Sequence, residues 1–219
     1  MNRRPTLLAA LALTATAALT LSACGSDDDS TTKDSDKIAG ADTGGEKPAS
    51  PSASAPVPAD RPKIELPADL KLTFEDAETG DPVKDAVLAD SAERMRAVDA
   101  AITGTDPKGE ALAYYNTDKA LEAALSWVAQ FEKAGATLTG EARYYDRKVT
   151  LKSETHAVLS FCADESKGFS KDKATSEIAR TPVTKNSYVL YNTRLDRNPA
   201  GVWQTSQIIS QRGADRCQP

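Results

Sequence analysis

The sequence predicts an α+β domain, with helices first and a curved antiparallel sheet after them. Three observations lead there. Between residues 81 and 133 apolar side chains recur at helical spacing in two long stretches. From residue 137 onward the period changes to two, with turn residues between the segments. Between Gly25 and about Leu66 the chain lacks the large apolar residues a core needs, which leaves roughly 150 residues after it for one ordinary domain.

The chain has 219 residues and a net charge of −5. Arg3 and Arg4 open it, and Leu7 to Leu21 follow as an uncharged apolar run of 15 residues. That is shorter than the roughly 20 residues a helix needs to cross a bilayer. Leu21-Ser22-Ala23-Cys24 closes the run, and polar sequence follows. This arrangement resembles a bacterial lipoprotein signal. The resemblance implies cleavage after Ala23, with residues 1–23 removed and diacylglycerol carried on the Cys24 sulfur. The alternative is an ordinary secretory signal with an incidental cysteine. More than one acyl chain makes anchoring stable, where a single myristoyl-length chain does not. The expected location is the outer face of the cell membrane. The paired arginines leave both the general and the twin-arginine export routes open.

Residues 24–66 read as a disordered linker. Ser26-Asp27-Asp28-Asp29-Ser30 begins it, and a Pro/Ala/Ser tract from Pro48 to Pro58 extends it. Such composition buries too little surface to offset chain entropy. The proline part leans toward extended polyproline geometry and makes a semi-stiff spacer. Nothing rigid presents Asp27 to Asp29 to a metal. Nine acids and five bases between Gly25 and Leu66 put much of the negative charge in the tether. The rest, 67–219, is only weakly acidic. A weakly acidic domain argues against nucleic acid as a partner and against docking on anionic lipid.

Within the domain, Asp81-Pro82 sets a capping carboxylate before proline at the first helical position. Val87, Ser91, Met95, Val98 and Ile102 form the stripe of that helix, and Gly104 stops it. Asp90, Glu93, Arg94 and Arg96 read as its solvated flank. A turn at Asp106-Pro107-Lys108-Gly109 leads to a short helical turn over Glu110 to Tyr115. The second long helix is predicted from a Thr117 cap to Lys133, with Gly135 just beyond. Its stripe is Leu121, Ala124, Leu125, Val128 and Phe131, and Trp127 flanks it.

Strands are predicted at Thr137 to Tyr145, Lys148 to Lys152, His156 to Cys162, Tyr188 to Leu195 and Val202 to Ser210. The third has Ala157, Leu159 and Phe161 on one face and His156, Val158, Ser160 and Cys162 on the other. Asn198-Pro199-Ala200-Gly201 is a turn, so the last two strands should form a hairpin. The polar stretch between Asp164 and Thr184 reads as a loop over a sheet edge.

Cys162 and Cys217 are the only cysteines beyond Cys24. In an exported protein they should pair as a structural disulfide. No Cys-x-x-Cys supports a redox role, and one histidine cannot complete a zinc site.

Two long helices followed by strands, with Cys162-Ala163-Asp164 ending a central strand and Gly201-Val202-Trp203 opening the last, resemble an NTF2-like domain. Leu121 to Phe131, Tyr144-Tyr145, Tyr188 to Leu195 and Cys217 add to the likeness. The chain is similar to actinobacterial surface lipoproteins that carry such a domain. The resemblance implies a cone, a sheet cupping helices with room for a pocket at the wide end. Isomerases, dehydratases and transport factors share that fold, so fold does not deliver function.

His156, the only histidine, and Asp164 are the candidate general bases, and each has a plain structural role as its alternative. Tyr114-Tyr115 and Tyr144-Tyr145 could line a pocket mouth. No Gly-rich phosphate loop, zinc spacing or calcium loop occurs, so no metal or cofactor is implied. With no convergent titratable cluster, the residues favour a membrane-anchored binding or interaction module over an enzyme. Its partner would be an envelope protein or a small apolar ligand. An NTF2-like isomerase or dehydratase and a purely structural surface domain are the alternatives.

Overall fold

A computed structural model of the protein describes residues 61–75 and 78–219. The signal segment, Cys24 and the tether up to residue 60 lie outside the described residues. Residues 61–66, which composition assigned to the tether, lie against the domain. Arg61 pairs with buried Asp90, Ile64 packs beside Ala97, Tyr115 and Val202, and the Thr105 hydroxyl donates to the Glu65 carbonyl at 2.7 Å.

Strand β1 (Leu70–Phe74) comes first, followed by helices α1 (Pro82–Thr103), α2 (Glu110–Tyr115) and α3 (Asp118–Lys133). Helix α1 begins as its cap dictates. The Asp81 carboxylate accepts from the Val83 and Lys84 amides at 2.9 and 3.3 Å. It ends where Gly104 adopts φ 83° and its amide bonds the Ala100 carbonyl. Helix α3 starts after Thr117, whose side chain makes no capping bond.

The sheet follows as β2 (Ala136–Leu151), β3 (His156–Asp172), β4 (Ile178–Ala179), β5 (Tyr188–Arg197) and β6 (Trp203–Arg212). Strand order is β1-β2-β3-β5-β6, and β4 pairs with the far end of β3. The sheet is antiparallel apart from β1, which runs parallel to β2. A parallel neighbour requires a long crossover, and the three helices supply it. Register shifts between Tyr145 and Lys148 and between Arg194 and Leu195 mark bulges that bend the long strands. They also explain why the two strands expected over 137–152 are one. The turn at Asn198 joins β5 to β6 as the expected hairpin.

Two further expectations are corrected. The stretch after Asp164 is not a loop: β3 continues to Asp172, with most of its added residues half-buried. The polar flank of α1 is not solvated throughout. Asp90 and Arg94 are buried, because the sheet wraps more of that helix than an apolar stripe alone implies.

The core lies on the concave side. Val87, Leu88 and Met95 of α1 pack on Leu159, Phe161, Val189, Leu195 and Trp203. A second cluster joins Val98 and Ile102 to Leu112 and Ala124. The Cys162–Cys217 disulfide forms on the opposite face, with a Cα–Cα distance of 5.4 Å, among Ala214, Tyr145, Tyr188 and Leu190. It ties the C-terminal tail to the middle of the sheet. Among the described residues no helix is long and apolar enough to cross a membrane.

Candidate functional site

The concave side is not filled. A cavity of about 830 Å³ opens between α1, α3 and the sheet. That volume lies within the range of small-molecule sites. Helical spacing aims Arg94, Met95, Val98 and Asp99 of α1 into it, and Ala124, Trp127 and Phe131 of α3 line it. Strand alternation adds Leu138, Ala142 and Tyr144 from β2, and β1 adds Leu70 and Leu72. Glu165 and Phe169 of β3, Tyr191 of β5 and Arg212 of β6 complete its sheet side. Helix α3 covers the cavity thinly. Only its Ala120 and Ala124 are buried, and Leu125, expected in the stripe, is 53% exposed.

Arg94 is 6% exposed. Its Nε donates to Asn116 Oδ1 at 2.8 Å, and Nη1 lies 3.2 Å from the Met95 sulfur. Asn116 is fixed in turn by donating to the Leu112 carbonyl. Among the described residues no carboxylate pairs with Arg94. Desolvation lowers its pKa.

Asp99 lines the same wall one turn on. Its carboxyl accepts no hydrogen bond among the described residues. Burial, reinforced by the negative charge of Glu165 and opposed by Arg94, pushes its pKa from 3.8 up to about 7.

Glu165, by contrast, is engaged. It accepts from the Tyr191 hydroxyl at 3.2 Å and pairs with Arg212 at 2.8 Å. Arg212 also donates to the Asn186 carbonyl at 3.0 Å. Tyr191 stacks on Phe161 with centroids 5.1 Å apart, and its pKa is raised by burial. The Tyr144 ring stacks on Phe74, while its hydroxyl has no hydrogen-bond partner among the described residues. Burial holds that phenol well above its usual pKa, so it stays a neutral donor. The wall therefore offers a fixed cation, a free phenol and a carboxyl able to exchange a proton near neutral pH.

The sequence candidates lie elsewhere. The His156 side chain is 46% exposed at the start of β3, on the face away from Leu159 and Phe161. Its Nδ1 meets the Ser153 and Thr155 hydroxyls at 2.9 and 3.0 Å, and Nε2 lies 3.4 Å from Asp196. Asp164 accepts from the Ser166 amide at 2.9 Å and lies 3.9 Å from Arg143. Neither lines the cavity. Of the tyrosine pairs, Tyr144 alone does. Tyr145 turns outward and donates to the Cys217 carbonyl.

Sequence reasoning missed Arg94, Asp99, Glu165 and Tyr191 as a group. One signal was present. Arg94 and Asp99 sit beside Met95 and Val98, at the edge of the helix's own apolar stripe.

No protein-family model matches the chain, and no curated protein matches it. Several solved structures are similar. A ketosteroid isomerase-like protein from Erwinia carotovora atroseptica shares 17% identity over 61% of this chain and 98% of its own, at a TM-score of 0.40. The hexachlorocyclohexane dehydrochlorinase LinA-type3 from Novosphingobium barchaimii shares 13% over 59% and 85%, at 0.41. The intermembrane space region of the chloroplast protein ARC6 shares 9% over 57% and 94%, at 0.40. Likenesses at these scores decide nothing about activity.

Proposed function

We propose that the protein is a lipid-anchored binding module outside the membrane that holds a small, largely apolar ligand in the cavity. The open volume of about 830 Å³ carries this reading, because Leu70, Val98, Trp127, Phe131 and Leu138 give it an apolar wall that faces polar groups such as Arg94, Asp99 and Tyr144. The Leu21-Ser22-Ala23-Cys24 motif supports the anchor. The tether composition supports a domain held clear of the surface.

Filling the cavity tests the binding claim. Ala124→Trp places an indole at a buried lining position and should abolish binding of a neutral fluorescent probe such as Nile red. Equal binding by the variant would refute the claim. For the anchor, radioactive palmitate should label the wild type and not Cys24→Ala.

One observation favours a second reading, that of an enzyme. Asp99 has the environment of a general base, a carboxyl without partner poised near neutral pH. In that case the protein would exchange the α-hydrogens of apolar ketones with deuterium, measured by NMR, and Asp99→Asn would stop the exchange while leaving probe binding intact.

A further inference from the structure

We propose that the ligand is a monoanionic amphiphile, one carboxylate on an apolar chain, seated at Arg94 and Tyr144. This presupposes the binding reading above and names the chemistry of the same cavity.

Arg94 carries the proposal. A buried guanidinium normally has a carboxylate partner, since an unpaired buried charge is costly. Here the two recorded contacts are a neutral amide and a thioether, of which the sulfur is a weak acceptor. Five N–H groups are available, so donors remain for an occupant of the cavity. The hydroxyl of Tyr144, 4% exposed, lines the same space without a partner among the described residues. Guanidinium and phenol together suit a carboxylate.

Charge balance limits the ligand to a single negative charge. Glu165 is neutralised by Arg212, and Glu141 at the rim faces Lys167 at 3.9 Å. Helix α3 and the segment from Thr181 to Ser187 contribute no charge to the lining. Tyr144 and Tyr191 are neutral. That leaves Arg94 and Asp99 to set the net charge of the cavity. When Asp99 is protonated, Arg94 is one uncompensated cation, and one carboxylate balances it. A phosphate monoester, with about −1.5 to −2 at pH 7, would exceed it. An anion beside Asp99 further disfavours its charged form, so binding draws in a proton wherever Asp99 was ionised. Of the remaining lining residues, Leu70, Val98, Trp127, Phe131 and Leu138 offer apolar surface for an alkyl chain.

The test uses the full chain with Cys24→Ala, which avoids detergent, and two probes of equal length, decanoate and decanol. Affinities are measured by displacement of Nile red. At about pH 6 decanoate should bind at least about tenfold tighter than decanol, the difference expected of a charge-assisted contact. Arg94→Met should remove that preference and spare decanol, and Tyr144→Phe should reduce it. For the wild type, decanoate affinity should fall by up to about tenfold per pH unit above about pH 7, while decanol affinity stays constant. Calorimetry in two buffers of different ionisation enthalpy should then show up to one proton taken up, and none for Asp99→Asn. Equal affinity for the two probes in the wild type, or a flat pH profile for decanoate, overturns the proposal without touching the binding reading. Failure of decanoate, decanol and Nile red alike overturns both.

Discussion

Replacing Asp99 by asparagine should stabilise the protein above neutral pH and leave it little changed in acid. The carboxyl rises from 3.8 to about 7 on folding, mainly because burial penalises its charge. Its unfolded value is about 3.9. Between those two values the folded state holds a proton that the unfolded state has released. Wild-type stability from this group is therefore complete below about pH 4 and is lost as pH rises toward about 7. At about 1.36 kcal/mol per pKa unit, the loss amounts to about 4 kcal/mol at pH 8. Asparagine has no charge to bury and escapes that loss. Urea unfolding followed by circular dichroism, at intervals from about pH 4 to pH 8, gives the stability of each form. The difference between variant and wild type should climb by up to about 4 kcal/mol across that window and then level off. Subtracting the two curves cancels the other titrating groups, and any constant effect of the amide shifts the offset but not the slope. A difference that stays flat with pH would refute the placement of Asp99 in a desolvated wall, and with it the proton linkage.

Three further outcomes are expected. Cys162→Ala with Cys217→Ala should lower stability by about 4 kcal/mol, the chain-entropy value for a separation of 55 residues, as read by urea unfolding; a loss near zero would mean the tail is held without the bond. Gly140→Ala should destabilise by well over about 1 kcal/mol, because φ is +97° and a Cβ would strike the Lys167 carbonyl, whereas Gly168→Ala meets nothing closer than 3.5 Å and should be tolerated in thermal denaturation. Asp90→Ala should cost about 3–5 kcal/mol, since it strips Arg61 of its partner and the buried Trp203 amide of its 2.8 Å acceptor; Asp90→Asn, which retains an acceptor, should recover part of that in the same assay.

Much of the fold was legible because its signals are local. Asp81, Pro82 and Gly104 bound α1 through caps that involve neighbours in sequence. The alternation from His156 to Cys162 marks which face of β3 is buried, since adjacent side chains must point apart. The turn at Asn198 sets the last hairpin in the same way. Strand β1 was missed because its partner, β2, is reached only through the helical crossover, and five residues carry little periodic signal. The continuation of β3 to Asp172 was missed because Glu165 to Asp172 is mostly polar and no residue in it is fully buried, so it carries no apolar alternation.

The candidate site was less legible. His156 and Asp164, the titratable residues that stand out locally in the sequence, are both engaged with nearby side chains and backbone away from the cavity. The charged and phenolic residues that line the cavity come from five elements distant in sequence, with Arg94 and Asp99 on α1, Tyr144 on β2, Glu165 on β3, Tyr191 on β5 and Arg212 on β6.

From sequence alone came the helices and the antiparallel strands that follow them, the pairing of Cys162 with Cys217 and the expectation of a tethered domain, because capping, periodicity and composition act over a few residues or along the chain. Only the tertiary structure decided that the concave face stays open, that Arg94 is buried within it and that Asp99 is half-buried beside it. Burial of a charge depends on what other elements wrap around it, and a bent sheet closing on a helix leaves no trace in that helix's own periodicity.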